Sequence, residues 1–188
     1  MKLDKLAKNI MDKQKKNIAL MGHMGSGKSV LGKLISKQLN FNHVDSDKLI
    51  EKKSNKTINE IFKTKGESYF RLIEENVILE TIYQKKLVLS LGGGSILSPK
   101  IRKALKDNFL TVFLDVDFAI LSKRLIKSKR RPLINDTNIE EKIKELDAIR
   151  RKFYLLADIT LKNHLTITDA FAEFRKKYIE FYEKYNSN

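Results

Sequence analysis

The length and composition of the chain fit one globular domain. It has 188 residues, of which 41% are hydrophobic and 32% are charged, and a chain of this size can bury a substantial core. No apolar run approaches the roughly 18 residues that a membrane span requires. The absence of cysteine excludes a disulfide framework, thiolate catalysis and zinc sites built on cysteine.

The chain is strongly basic, with 38 lysine and arginine residues against 23 acidic ones and a net charge of +15. Such a surface can bind nucleic acid through counterion release. The lysines are spread along the chain, however, and no aromatic residues are interleaved with them as a stacking platform. We therefore expect no nucleic-acid partner, and we note that the same field would attract a small anionic substrate such as a nucleotide.

Apolar periodicity predicts the elements in chain order. Residues 1–16 are a basic N-terminal extension, either a short amphipathic helix or a mobile arm, and they lack the apolar segment of a secretory signal. A single domain follows over residues 17–188, with Gly66 breaking a long helical stretch. Its predicted strands are 17–21, 41–45, 87–91, 110–114 and 158–161, and its predicted helices are 29–39, 47–53, 58–65, 67–83, one that starts at Ser98-Pro99, 118–127, 140–156 and 168–185.

The alternation of short apolar strands with helices predicts an α/β fold, in which a five-stranded parallel sheet has helices on both faces. Ligands of such folds bind beyond the C-terminal ends of the strands, and the glycine and aspartate clusters of this chain lie at such ends. The polar, basic segment 128–138 is interrupted by Pro132, and we predict that it is a mobile loop.

The octapeptide GHMGSGKS, from Gly22 to Ser29, is a complete phosphate-binding loop. Its glycines let successive backbone N–H groups point at phosphate oxygens, and the helix that follows adds its positive end. Lys28 would reach the β- and γ-phosphates, and the Ser29 hydroxyl would bind Mg²⁺. The apolar strand before the loop and the amphipathic helix after it supply the context that this motif requires.

The loop alone does not separate a GTPase, a motor ATPase and a small-molecule kinase. The sequence contains nothing similar to the N-K-x-D motif of guanine recognition, and 188 residues leave little room for the accessory elements of a motor. A small-molecule kinase is the remaining class.

Two further clusters follow the second and third predicted strands. Asp45 and Asp47 could support a metal-bound water and orient or deprotonate an attacking hydroxyl, but aspartates that cap a helix would look the same. The triplet Gly92–Gly94 would let the backbone approach a ligand closely, although it could also be a flexible turn.

Together these motifs resemble the shikimate kinase family from about Lys16 to the C-terminus. The matching features, in order, are GHMGSGKS, D-S-D at 45–47, G-E-x-x-F-R-x-x-E at 66–74, the glycine triplet at 92–94, R-P-L at 131–133 and an arginine four residues before Tyr154. The resemblance implies a three-layer P-loop kinase fold whose lid covers about residues 128–138. It also implies transfer of the γ-phosphoryl group of ATP to the 3-hydroxyl of shikimate, giving shikimate 3-phosphate on the route to chorismate and the aromatic amino acids.

The resemblance assigns residues to the nucleotide. Lys28 and the lid residue Arg131 would act on the transferring phosphoryl group, and Arg124 matches the arginine on the adenine side. Mg²⁺ would be held by Ser29 and by Asp45, the latter either through water or directly. The implied ATP-binding residues are Gly25, Ser26, Gly27, Lys28, Ser29, Val30, Arg124 and Arg131.

The resemblance also assigns the acceptor side. Asp47 is the candidate base, Arg71 and Arg150 hold the shikimate carboxylate, and a planar guanidinium suits this task because it bonds a carboxylate bidentately. Glu74, three residues after Arg71 on one helix face, could hold that guanidinium in place. The backbone of Gly92, Gly93 and Gly94 would contact the substrate, and Phe62 and Phe70 could either wall its ring or pack in the core.

The chain departs from the family where Arg150-Arg151-Lys152-Phe153-Tyr154 lacks the usual proline, which leaves the choice between Arg150 and Arg151 open, although the spacing to Tyr154 favours Arg150. His23 occupies a variable loop position and is interpreted as a spectator. The rival hypotheses are a gluconate kinase, a nucleoside monophosphate kinase and a nucleotide-dependent nucleic-acid binder. We expect a cytoplasmic monomer with no membrane partner.

Overall fold

The computed structural model describes residues 17–127, 139–162 and 166–186, apart from the side chains of residues 185 and 186. The predicted N-terminal extension and the predicted lid, with Arg131, lie outside these ranges. The strands are β1 (Asn17–Met21), β2 (Asn42–Asp45), β3 (Leu87–Ser90), β4 (Phe109–Asp115) and β5 (Ile159–Lys162). The helices are α1 (Lys28–Leu39), α2 (Ser46–Ser54), α3 (Ile58–Thr81), α4 (Pro99–Asn108), α5 (Phe118–Lys127), α6 (Ile139–Tyr154) and α7 (Ile167–Asn186), with a 3₁₀ turn at Ser95–Leu97.

The five strands form one parallel sheet in the order β2-β3-β1-β4-β5. Strand β1 lies at its centre, with Ile18 paired to Val88 on one side and to Leu110 on the other. Because all strands are parallel, the loops that follow β1, β2 and β3 leave from the same edge of the sheet, where α/β folds bind ligands. The predicted five-stranded α/β fold is confirmed.

The sheet is buried on both faces, and alternate residues of each strand serve opposite cores. On one face Ile18 and Leu20 pack with α1 and with the aromatic residues of α7. On the other face Ala19 and Met21 pack with residues of α3, α4 and α6. This packing on both sides fixes the strand ends that carry the loops. In the part of the chain that the structure describes, no helix is long and apolar enough to cross a membrane.

The predicted helix break at Gly66 is confirmed as a kink inside α3, where Gly66 has φ 80° and ψ 174°. Such a conformation is accessible essentially only to glycine. Thr57 and Glu60 form a reciprocal capping box at the start of α3, and Ser98 caps α4 ahead of Pro99 as predicted. The observed ends of most other elements differ from the predicted ends by one or two residues.

Candidate active site

The loop after β1 is shaped by glycines with left-handed backbone. Gly25 and Gly27 have φ values of 81° and 98°, so the chain turns there without the strain that a side chain would introduce. A Cβ atom on Gly22 would lie 2.8 Å from the backbone oxygen of Leu114. The loop is therefore packed directly against the end of β4 and opens towards solvent at the start of α1.

Two polar side chains of this loop are arranged as a phosphate site requires. The Lys28 ammonium donates to the backbone oxygens of Gly22 and His23, at 2.9 and 2.8 Å, and so spans the loop. The Ser26 hydroxyl is buried without a hydrogen-bond partner among the described residues. An unsatisfied buried hydroxyl is costly, and a phosphate oxygen would satisfy it.

Ser29 and Asp45 meet at the end of the loop, where the Ser29 hydroxyl donates to the Asp45 carboxylate. Asp45 also caps α2 by accepting from the Lys48 N–H, so the capping interpretation of this aspartate is confirmed, and the same carboxylate remains a candidate metal ligand. A hydroxyl and a carboxylate are oxygen ligands of the kind that Mg²⁺ prefers. These residues fit the ion.

A cleft of about 740 Å³ is lined by the phosphate loop and by Asp47, Gly92 and Gly93 of the predicted acceptor side, whereas Arg71, Gly94 and Arg150 are not among its lining residues. Arg124, on α5, donates to the backbone oxygen of Gly25 at 3.2 Å, which places it beside the phosphate loop. Ile167, the first residue of α7, and Thr166 just before it were not predicted and line the same cleft. The predicted site residues that line the cleft are Gly25, Ser26, Gly27, Lys28, Ser29, Val30, Asp45, Asp47, Gly92, Gly93 and Arg124.

The glycine triplet is crowded by side chains of the predicted acceptor site. A Cβ atom on Gly92 would lie 2.6 Å from a carboxylate oxygen of Asp47, and one on Gly94 would lie 2.5 Å from the guanidinium of Arg71. A Cβ atom on Gly93 would be 3.4 Å from Arg150. The triplet is thus the point where three predicted acceptor-side residues converge, which a flexible turn would not require.

Arg71 is held on α3 by two glutamates. It donates to Glu74 at 2.6 Å and to Glu67 at 3.0 and 3.2 Å, and Glu74 is only 2% exposed and also accepts from Ser95. Burial opposes the charge on Arg71, but Glu74 and Glu67 outweigh this effect and raise its pKa. The predicted contact between Glu74 and Arg71 is observed.

Arg150 and Arg151 have different surroundings on α6. Arg151 makes a paired contact with Asp115 at 3.2 and 3.1 Å. The Nε atom of Arg150, by contrast, is buried without a hydrogen-bond partner among the described residues, and its guanidinium lies beside Gly93. The structure thus places Arg150 at the glycine triplet and engages Arg151 elsewhere.

Tyr154 anchors the end of α6 to the same place. Its hydroxyl donates to the backbone oxygen of Gly93 at 2.5 Å, and its ring stacks on Phe113. Burial raises the pKa of Tyr154 to about 12, against the opposing effect of Arg150. The sequence suggested Tyr154 only as a spacing marker, because the strand and helix contacts that bury it are distant in the chain.

Phe70 is buried, and its ring lies 4.8 Å from that of Phe62 between centroids. Both belong to an apolar cluster between α2 and α3, which favours the core-packing interpretation. The sequence also missed Ser46, whose hydroxyl accepts from the N–H of Gly92 at 2.8 Å and ties α2 to the triplet. The serine of the D-S-D motif does not indicate this contact in the sequence, because its partner is 46 positions away.

A phosphate loop that shares one cleft with a carboxylate and lies beside a glycine triplet flanked by two arginines defines a P-loop kinase acting on a small molecule. Comparison with protein families makes the assignment specific: the family model for shikimate kinase matches residues 24–180. The chain belongs to the shikimate kinase family. By family it is a phosphotransferase that uses ATP to phosphorylate shikimate, a step of aromatic amino acid biosynthesis.

Individual relatives agree over most of their length. A shikimate kinase of Thermoanaerobacter pseudethanolicus is 36% identical over 87% of this chain and 96% of its own. One from Bartonella henselae is 42% identical over 78% of this chain and 70% of its own. The solved structure of a shikimate kinase from Acinetobacter baumannii in complex with shikimate superposes with a TM-score of 0.82 at 31% identity, over 96% of this chain and 97% of that one.

Proposed function

We propose that the enzyme transfers the γ-phosphoryl group of ATP to the 3-hydroxyl of shikimate in the cleft between the phosphate loop and the glycine triplet. The main support for this proposal is that Lys28 and Asp47 line one cleft, so a nucleotide phosphate and an acceptor hydroxyl can meet there. The hydroxyl oxygen forms a bond to the γ-phosphorus while the bond from that phosphorus to the β,γ-bridging oxygen breaks. The products are shikimate 3-phosphate and ADP.

On the nucleotide side, the loop N–H groups and Lys28 bind the phosphates, and Ser26 donates to a phosphate oxygen. Ser29 and Asp45, which meet at the end of the loop, would hold Mg²⁺. When bound, Mg²⁺ neutralises charge on the β- and γ-phosphates. Arg124 lies against the adenine, and Val30 lines the same end of the cleft.

On the acceptor side, Asp47 accepts the proton of the attacking hydroxyl as general base. Arg71 and Arg150 bind the shikimate carboxylate, and the backbone of Gly92, Gly93 and Gly94 contacts the substrate. Support comes from the convergence of Asp47, Arg71 and Arg150 on the triplet and from the unpartnered Nε of Arg150. A ligand carboxylate would satisfy that buried donor.

Arg131 lies outside the described residues, and its role is proposed from the sequence. In a lid over residues 128–138 it would fold over the phosphates and neutralise charge that develops during transfer. We further propose, from the sequence, that the enzyme is a cytoplasmic monomer without a nucleic-acid or membrane partner. Size-exclusion chromatography at working concentration would test the monomer.

The proposal is tested by measuring ADP release with ATP and, in turn, shikimate, gluconate, nucleoside monophosphates and single-stranded DNA. We expect turnover with shikimate alone. Turnover with gluconate or with a nucleoside monophosphate at a comparable kcat/KM would contradict the assignment of shikimate as the acceptor. Stimulation by DNA alone would favour the nucleic-acid hypothesis instead.

A further inference from the structure

His23 belongs to the phosphate loop, yet its side chain is turned away from the cleft. It is 5% exposed, and its ring lies edge-on to that of Tyr154 at 5.3 Å between centroids. Its Nε2 is 2.7 Å from a carboxylate oxygen of Asp147, itself 6% exposed. His23 is therefore half of a buried polar pair that joins the phosphate loop to α6.

Asp147 lies one helical turn before Arg150 and two turns before Tyr154, so these three residues share one face of α6. Towards the solvent, the other Asp147 oxygen lies 3.5 Å from Arg151, which is itself paired with Asp115 at the end of β4. Asp147 is thus fixed from two sides.

The face of α6 that carries these residues is attached at two points. Asp147 attaches it to the phosphate loop, and Tyr154 attaches it to the glycine triplet through the backbone oxygen of Gly93. Arg150 lies between the two attachments and beside Gly93. The two attachments thus flank the residue that carries this guanidinium on the same face of α6.

We propose that His23 and Asp147 are positioning residues, which hold α6 so that Arg150 meets the carboxylate of the acceptor while the acceptor hydroxyl faces the γ-phosphate. This proposal rests on the proposed function, because it takes Arg150 as a ligand of the substrate carboxylate. It gives His23 a role in acceptor binding although His23 is a residue of the nucleotide loop.

The chemistry of the pair suits a fixed connection. Burial lowers the pKa of His23, against the opposing effect of Asp147, which favours the neutral imidazole, and with its proton on Nε2 this ring donates to the Asp147 carboxylate at 2.7 Å. A hydrogen bond to a charged group is shorter and stronger than a neutral one, and the burial of both partners strengthens their electrostatic attraction.

The test is steady-state kinetics on His23→Leu, Asp147→Leu and the double variant, with each substrate varied separately. Because a displacement of about 1 Å at a positioning group can cost up to about 10²-fold, we expect each single variant to raise the KM for shikimate about tenfold. The KM for ATP should change much less. The double variant should be no worse than either single variant, since the two residues act through one contact.

Conservative variants keep the test informative if leucine prevents folding. His23→Gln places an amide N–H near the position of Nε2 and should restore a near-normal KM for shikimate, while Asp147→Asn should raise it by a smaller factor than Asp147→Leu. Thr111→Val is the matched control, because Thr111 and Asp158 form another polar contact away from the cleft, at 2.7 Å. It should lower the melting temperature and leave both KM values unchanged.

Arg150→Ala separates this proposal from the proposed function. If Arg150→Ala raises the KM for shikimate and the folded His23 and Asp147 variants do not, the positioning role is wrong and the substrate assignment stands. If Arg150→Ala leaves that KM unchanged, the carboxylate assignment itself is wrong. An equal rise in both KM values in His23→Leu would also overturn the positioning role.

Discussion

The two sides of the cleft are built in different ways. The phosphate loop takes its shape from eight consecutive residues, and Lys28 spans it by donating to the backbone oxygens of Gly22 and His23. We propose that its backbone N–H groups are the main phosphate-binding groups. The acceptor side takes single side chains from α2, α3 and α6 and brings them to one glycine triplet. A local motif forms its own site, whereas an assembled site depends on contacts between distant elements, so mutations on the two sides should have different kinetic signatures.

The largest effect is expected on the local side. Lys28→Ala removes the cation that we propose binds the phosphates, and losing one such preorganised donor typically costs about 10²–10³ in kcat. Circular dichroism should show a folded protein. Lys37→Ala, in the last turn of the same helix, is the control and should behave as wild type. Near-normal turnover in folded Lys28→Ala would contradict the nucleotide site.

Asp47→Asn tests the one acceptor residue that we expect to act on the reacting atoms. The variant keeps the size of the side chain and loses its charge, so kcat should fall by about 10²–10⁴, the usual contribution of a general base. The KM for shikimate should change little. Asp107→Asn, on the surface of α4, should have no effect, and normal turnover of Asp47→Asn would reject the base assignment.

Arg71→Ala and Arg150→Ala test the binding residues of the assembled side. Charge-assisted hydrogen bonds contribute about 1.5–3 kcal/mol, so the KM for shikimate should rise roughly 10- to 150-fold. The KM for ATP should be little changed. Lysine at either position should rescue only in part, because an ammonium cannot make the bidentate pair. Arg151→Ala is the matched control and should raise the KM for shikimate less than Arg150→Ala.

Two glycine variants separate the effect of backbone conformation from the effect of steric contact with a neighbouring side chain. A Cβ atom on Gly66 would have no neighbour within 4 Å, but the backbone there has a left-handed φ. Gly66→Ala should therefore cost about 1–3 kcal/mol of stability through backbone strain. Gly94→Ala would instead press on Arg71 and should raise the KM for shikimate. Thermal unfolding and kinetics on both variants separate these effects. Equal KM values in Gly94→Ala and the wild type would show that Arg71 can move freely.

The smallest effect concerns pH. Burial lowers the pKa of His23 and of His43 below the ordinary value of 6.5. The unfolded chain therefore takes up these protons first, and stability that is present above about pH 6.5 is lost as the pH falls towards the folded pKa values. His23→Gln and His43→Gln should each flatten the dependence of the unfolding free energy on pH below about 6.5. Curves parallel to that of the wild type would contradict this.

The sequence predicted those features that are formed by residues close together in the chain. The phosphate loop, the helix break at Gly66 and the contact of Arg71 with Glu74 each follow from residues within a few positions of one another. The pair of His23 and Asp147 joins residues 124 positions apart, and no pattern in either segment indicates the other.

The choice between Arg150 and Arg151 was open for a related reason. Adjacent residues point about 100° apart around a helix, so the choice depends on which face of α6 packs against the sheet. In the structure Tyr154 and Asp147 determine that face. The crowding of Gly92 and Gly94 was likewise hidden, because it depends on which side chains converge there.

The clamp on Arg71 has a consequence for the thermodynamics of ligand binding. Glu67 and Glu74 already fix the guanidinium in the free enzyme, so this long side chain has little rotamer entropy left to lose when an anion arrives, and immobilising a free one costs about 0.5–1.5 kcal/mol. The Arg71 side chain loses this rotamer entropy when the protein folds, and not when the ligand binds. Loosening the clamp by Glu67→Gln should therefore appear in calorimetry as a larger entropic penalty for binding shikimate.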